Sequence, residues 1–280
     1  MIGVVVTADR PEAVEVARRL VSLTDEAGLR VAACDASTAY ALGVPAVGRE
    51  LSVVVAVGGD GTVLSGVRHA IDRKVPVVGV NVGRVGFLAE VEPSALEELV
   101  HRLAGPAPPT VPRMAVAATV DGTTTVGLND VVIQKTEGQH MVGVDVLVDG
   151  ERFLTFRADG VIVSTPTGSS AYNLSAGGPL LDPRVDALVV TPVAPYSLFR
   201  SAVALDPDSA IRCTVIHDRS ASVAVDGREV GVLAPGESVE IRRGPSVPFV
   251  DLAGRSYPES LKRKLRLHEG LDGVLGDPRI

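Results

Sequence analysis

The texture of this chain changes at Gly105-Pro106-Ala107-Pro108-Pro109, and that change limits the available folds more than any single motif. Before it, short Val-rich runs alternate with helix-length segments, giving strands over 3–7, 30–34, 53–57 and 76–81 and helices over 11–27, 63–72 and 93–101. Apolar strands without polar alternation, set between helices, belong to a parallel sheet covered on both faces. After it, β-rich runs are punctuated by Asp121-Gly122, Asp149-Gly150 and Asp226-Gly227. Asp-Gly between alternating segments is a strong hairpin signal. The expected fold class is a Rossmann-like α/β domain over 1–109 and a mostly β, sandwich-like domain over 110–256, followed by a C-terminal segment over 257–280. That segment reads as a basic amphipathic helix over 258–267, with Leu261 and Leu265 inward and its charges solvated.

A chain of 280 residues can bury two ordinary cores. Its formal charge of −7 and the lack of any dense Lys/Arg run argue against nucleic acid as a partner. No stretch approaches the roughly 18 to 20 apolar residues that cross a bilayer. The opening Met1-Ile2-Gly3-Val4-Val5-Val6-Thr7 reads as a first strand, without the basic flank of a leader peptide. The expectation is a soluble, cytoplasmic protein that handles small polar ligands and engages no membrane. Cys34 and Cys213 have no Cys or His neighbours at ligand spacing, so both read as small core residues.

Four segments could carry chemistry. In Gly58-Gly59-Asp60-Gly61-Thr62, a single carboxylate sits on a glycine-rich turn at the end of a buried strand. Glycines there allow positive φ and close approach, and successive N–H groups can cradle an anion. The bland alternative is a tight turn in which Asp60 or Thr62 caps a helix starting near Val63. Asn81-Val82-Gly83-Arg84-Val85-Gly86-Phe87-Leu88 follows the next strand and ends on the same sheet edge, where open α/β sheets bind ligands. Leu128-Asn129-Asp130 opens a strand with a donor–acceptor pair suited to a ribose diol, although polar pairs are also common at turns. The fourth runs from Asp159-Gly160 through Ser164-Thr165-Pro166-Thr167-Gly168-Ser169-Ser170-Ala171-Tyr172 to Gly177-Gly178-Pro179, and its hydroxyls suit sugar or phosphate oxygens. No P-loop, no Gly-x-Gly-x-x-Gly fingerprint and no Gly-x-Ser-x-Gly elbow occurs, which weakens the dehydrogenase and hydrolase cases.

Taken together, in this order and spacing, the four segments resemble the NAD kinase family. The resemblance runs from about residue 51 to the C-terminal helix, and its long Asp159-to-Pro179 motif is the most specific part. It implies an enzyme, a phosphotransferase that moves a phosphoryl group from ATP or polyphosphate to the 2'-hydroxyl of the adenosine ribose of NAD. A divalent metal (Mg2+ or Mn2+), a homodimer or homotetramer, and a C-terminal tail returning to the N-terminal domain are also implied. Asp60 is the expected catalytic base. Gly58, Gly59, Gly61, Thr62 and Asn81 are expected on the donor phosphates. Asp60, Gly61, Phe87, Asn129, Asp130, Arg157, Asp159, Thr167, Ser170, Ala171, Tyr172, Ser175 and Asp226 are expected around NAD, with Asn129 and Asp130 on base and ribose, Asp159 on the nicotinamide carboxamide and Phe87 beside the adenine. Three positions depart from the family pattern: Asp130 replaces the usual Glu, Tyr196 a usual His, and Arg200-Ser201 or Ser201-Ala202 an Arg-Pro. The alternatives are a related kinase acting on a lipid or another nucleoside, and a dinucleotide-binding sensor without catalysis.

Overall fold

The computed structural model describes residues 1–265 except Arg49, Arg84, Val85, Glu137, Gln139, Ala253 and Arg255. Positions 266–267 of the expected tail helix, and Arg84 and Val85 of the second motif, lie outside the described residues. The chain divides into two compact units, Met1–Val111 with Val247–Ile280, and Pro112–Ser246.

In the first unit, β1 (Ile2–Val6), β2 (Val31–Ala33), β3 (Val53–Gly58) and β4 (Val77–Asn81) form a parallel sheet in the order β2-β1-β3-β4. β3 and β4 are buried along their whole length, as continuous apolar runs require. Alternate residues face opposite sides of a strand. Ile2, Val4, Val55, Val57, Val78 and Val80 pack with α1 (Pro11–Glu26) and with a helix contributing Leu96 and Leu99. Val54, Ala56 and Val77 face the other side, where Gly66 lets the helix after β3 lie close.

That helix, α3 (Asp60–Ile71), starts three residues earlier than expected. Gly59, extended at φ −95°, is its N-cap, so Asp60-Gly61-Thr62 form its first turn, where an acidic residue suits the helix dipole. Of the glycines in the turn only Gly58 has positive φ, at 156°. A short helix α2 (Ala36–Leu42) was not expected, although Asp35 caps it by accepting from Thr38 N at 2.7 Å and Gly43 ends it at φ 67°. The expected helix over 93–101 splits into a 3-10 turn, Pro93–Ala95, and α4 (Leu96–Ala104).

The second unit is antiparallel. One sheet has the order β12 (Val203–Leu205), β11 (Leu188–Val193), β10 (Gly160–Ser164), β7 (Asp130–Lys135), β14 (Ala221–Val225), β15 (Arg228–Leu233). Another group pairs β16 (Ser238–Val250), β13 (Ile211–Ile216), β8 (Val142–Val148) and β9 (Glu151–Ala158), with β5 (Thr110–Val120) on β16 and β6 (Thr123–Gly127) on β5. Their inner faces share one core that includes Ile133, Val163, Val144, Phe156, Val215 and Ile241. The three Asp-Gly pairs all turn hairpins with positive φ at both residues, 47° and 75° at Asp121-Gly122, 52° and 87° at Asp149-Gly150, 49° and 73° at Asp226-Gly227.

No helix among the described residues is long and apolar enough to cross a membrane. Cys213 is buried and Cys34 half-buried, and burial pushes their thiols up to about 12 and about 11.

Candidate functional site

Strands β3 and β4 end side by side, with Gly58 opposite Asn81, and the glycine-rich turns begin there. Asp60 does not project freely from its turn. Its Oδ2 accepts from Phe87 N at 2.7 Å, and its Oδ1 accepts from Leu88 N at 2.9 Å and Ala89 N at 3.3 Å. Gly86 makes this possible, since a Cβ there would lie 2.1 Å from Asp60 Oδ1. The second motif is therefore a cradle for the carboxylate of the first, and both are held in the first unit. A carboxylate offers about four acceptor positions, so one lone pair on Oδ2 remains for a further donor.

Asn81 is 4% exposed, and its Oδ1 has no hydrogen-bond partner among the described residues. By strand parity it projects to the α3 side, as Gly58 does. The expected N–H cradle is smaller than the turn suggests, because Thr62 N donates to Gly59 O at 3.0 Å and the Thr62 hydroxyl bonds that of Thr7. Gly61 keeps an N–H in the first helical turn, where no intrahelical acceptor exists. Arg10, which the motifs did not flag, has its Nη1 3.9 Å from where a Cβ would stand at Gly83, and it makes no ion pair among the described residues. A surface cleft lined by Met1, Glu50, Leu51, Ser52, Asp72 and Arg73 lies at the amino ends of β1 and β3 and contains none of the motif residues.

The second unit repeats the clamp. Asp226 Oδ2 accepts from Leu128 N at 2.8 Å, and its Oδ1 accepts from Asn129 N at 2.7 Å and Asp130 N at 3.4 Å. Again a glycine precedes the clamped residues, and a Cβ at Gly127 would lie 2.9 Å from Asp226 Oδ1. Asp226 thus shapes the Asn129-Asp130 turn from behind, with neither oxygen free of it. Asp130 is 4% exposed, and its carboxyl makes no hydrogen bond with the described residues. Burial, and then the charge of Asp226, push it up to about 7.

Thr165 fastens the hydroxyl-rich loop to this turn: its N donates to Asn129 O at 2.9 Å, its Oγ1 donates to Leu128 O at 2.7 Å and accepts from Gly168 N at 3.0 Å. Ser164 donates to Thr165 O at 3.0 Å, and Ser169 donates to Pro166 O at 2.6 Å and accepts from Leu181 N at 2.9 Å. Ser164, Thr165 and Ser169, none of them among the expected NAD contacts, therefore spend their hydroxyls on shaping the loop. Thr167 is 5% exposed and its hydroxyl has no partner among the described residues, while Ser170 Oγ donates to Thr167 O at 3.2 Å. Ala171 N donates to Gly168 O at 2.8 Å, and Tyr172 and Ser175 are exposed on the short helix α5 (Tyr172–Ser175).

Asn173, absent from the candidate set, is fully buried. Its Nδ2 donates to Ser169 O and Pro179 O, each at 3.0 Å, and its Oδ1 accepts from Thr191 Oγ1 at 2.6 Å. A polar residue between the apolar face and Gly177-Gly178-Pro179 was the available signal. Asp159 does not stand alone, because Lys135 Nζ lies 2.7 Å from its Oδ1. Arg157 is exposed, and its carbonyl accepts from Tyr196 N at 2.7 Å. No group of three or more His, Cys, Asp or Glu among the described residues could hold a metal ion, and Asp60 is largely engaged by its cradle. These residues do not form a protein cage for a divalent ion.

Residues 38–106 match the family profile described as ATP-NAD kinase N-terminal domain, and residues 128–251 match the ATP-NAD kinase C-terminal domain. The NAD kinase of Heliobacterium modesticaldum is 37% identical over 277 residues, covering 95% of this chain and 98% of that one. Among solved structures, yeast NADH kinase complexed with NADH aligns with a TM-score of 0.85 at 21% identity, over 96% of this chain and 88% of that one. An NAD kinase from Archaeoglobus fulgidus in complex with ATP aligns with a TM-score of 0.75 at 22% identity, over 96% and 98%. At such identities the structures speak to the fold. The likeness of sequence over nearly the whole length speaks to descent, and the chain belongs to the NAD kinase family, a family of phosphotransferases.

Proposed function

We propose that this enzyme transfers the terminal phosphoryl group of ATP, or of polyphosphate as a second donor, to the 2'-hydroxyl of the adenosine ribose of NAD, yielding NADP and, from ATP, ADP. The observation that carries the reading is Asp60, a half-buried carboxylate fixed by the N–H groups of Phe87, Leu88 and Ala89 with one lone pair of Oδ2 left open. A ribose hydroxyl donating to that lone pair is oriented for attack on the γ-phosphorus. The new bond joins the ribose oxygen to phosphorus, the bond to the bridging oxygen of ADP breaks, and the hydroxyl proton passes to Oδ2. Phosphoryl transfer runs through a loose transition state in which the nucleophile loses its proton late. Three N–H groups fix the Asp60 carboxylate in one orientation, so its main work is to align the hydroxyl and receive its proton at the open position of Oδ2.

Gly58, Gly59, Gly61, Thr62 and Asn81 keep their proposed place at the donor phosphates, through Gly61 N–H, the Thr62 and Thr7 hydroxyls and the Asn81 amide, and Arg10 adds a cation. The dinucleotide is held by Asn129, Asp130, Arg157, Asp159, Thr167, Ser170, Ala171, Tyr172, Ser175 and Asp226. In this reading Asp226 acts by shaping the turn and Asp159 acts as a pair with Lys135. Phe87 stays at the adenine, through the ring face not taken by Lys264. Kinases of this type generally use a divalent metal with ATP, which neutralises phosphate charge. With no protein cage among the described residues, no step here is assigned to it.

The test is a matrix of NAD and NADH against ATP and polyphosphate, with magnesium or manganese, followed by enzymatic detection of NADP or NADPH. Formation of the 2'-phosphorylated product from NAD and ATP is expected. Its absence under every donor, or phosphorylation at another hydroxyl, overturns the reading.

A further inference from the structure

The loop clamped by Asp60 is also gripped from its other side, by α6 (Tyr257–Leu265) of the C-terminal segment. Lys264 Nζ donates to Phe87 O at 2.7 Å, lies 3.7 Å from Glu90 Oε1 and sits 4.9 Å above the centre of the Phe87 ring. Its side chain is only 7% exposed, unlike the solvated charge expected of this helix. The neighbouring Arg263 pairs with Glu92 on the same loop. A buried ammonium is costly unless it is paired, and here its partners are a carbonyl, a carboxylate and an aromatic face.

Phe87 O and Leu88 N belong to one peptide group. Lys264 therefore bonds the oxygen of the same planar unit whose N–H donates to Asp60 Oδ1 at 2.9 Å. A cation on the oxygen of a peptide draws electron density toward it and makes the N–H a stronger donor. We infer that Lys264 is a positioning residue for Asp60, acting through the peptide group between Phe87 and Leu88; this rests on the reading of Asp60 as the carboxylate that orients the acceptor hydroxyl. The relay joins residues 204 positions apart, and it makes the C-terminal helix part of the reaction machinery and more than a packing element.

The experiment compares Lys264→Met, Lys264→Arg and Arg263→Gln in the full chain. Amide hydrogen exchange over residues 86–92 is read by mass spectrometry together with kcat, KM and the thermal midpoint. In Lys264→Met, exchange at Phe87, Leu88 and Ala89 should quicken by about tenfold or more, and kcat should fall by about tenfold with KM for the dinucleotide within about twofold. Lys264→Arg should recover most of both effects. Arg263→Gln, which breaks a half-exposed pair, should change kcat by less than about twofold.

In an Asp60→Asn background, Lys264→Met should cost little further kcat, because the relay then has no carboxylate to serve. Unchanged exchange over 86–92, or an equal loss of kcat in both backgrounds, overturns the inference. If the parent enzyme forms no NADP, the proposed reaction fails while the exchange data still decide the relay.

Discussion

The two units solve one local problem in the same way and then diverge. Each folds a glycine followed by a backbone run whose N–H groups converge on an aspartate from elsewhere in the chain: Gly86 with Asp60, and Gly127 with Asp226. In the first unit the clamped loop is braced from behind by a cation, Lys264. In the second it carries a further carboxyl, Asp130, buried beside the clamping aspartate. One clamp has a cation standing behind its loop. The other is crowded with like charge. The lesson is that a shared backbone device takes its chemical character from the residue standing behind it.

Asp60→Asn tests the comparison most severely. An amide places donor hydrogens against the N–H groups of the 87–89 loop, so kcat should fall at least about a hundredfold. Steady-state kinetics with a thermal midpoint check would show it. Asp226→Asn breaks the equivalent clamp in the other unit, and there the loss should appear as a rise of about tenfold in KM for the dinucleotide, with kcat within about threefold. Equal kcat losses in the two variants would break the contrast. Gly86→Ala and Gly127→Ala force a methyl into each clamp, at 2.1 Å and 2.9 Å from the aspartate oxygens. Each should reproduce its aspartate variant in weaker form, with Gly86→Ala the more damaging.

Asn173→Ala removes three buried hydrogen bonds and should lower stability by about 2 to 4 kcal/mol, read by denaturant titration, whatever the state of either clamp. The smallest effect sharpens the electrostatic difference. The Asp130 carboxyl lies at about 7 in the folded chain against an ordinary 3.8, so its contribution to stability is full below the ordinary value and is lost as pH rises through about 7. Asp130→Asn should leave stability near pH 4 unchanged and raise it at pH 8 by about 1 to 3 kcal/mol. KM for the dinucleotide should vary between pH 6 and 8 in the parent and flatten in the variant.

Much of the frame was legible in the residues. The apolar runs of β3 and β4 and the three Asp-Gly turns are local signals, and the structure places a parallel sheet and hairpins there. Helix α2 was equally legible through Asp35 and Gly43 but too short to register by periodicity. The early start of α3 was hidden because Gly59 and Gly61 read as a loop, although a glycine is an acceptable N-cap. Lys264 stands three residues after Leu261 and so neighbours it on the helix surface, the signal that it was not simply solvated.

By itself the sequence determined the parallel strands of the first unit, its longer helices and the Asp-Gly hairpin turns, which carboxylates stand beside glycine-rich loops, and the family to which the chain belongs. Those properties rest on backbone preference, burial pattern and residue order, which neighbouring residues express together. Only the tertiary structure decided that Asp60 meets the 87–89 backbone, that Asp226 meets 128–130, that Ser164, Thr165 and Ser169 turn inward, and that Lys264 completes a relay. A hydrogen bond is directional and reaches about 3 Å, so its partner depends on which distant segment folding brings to that edge.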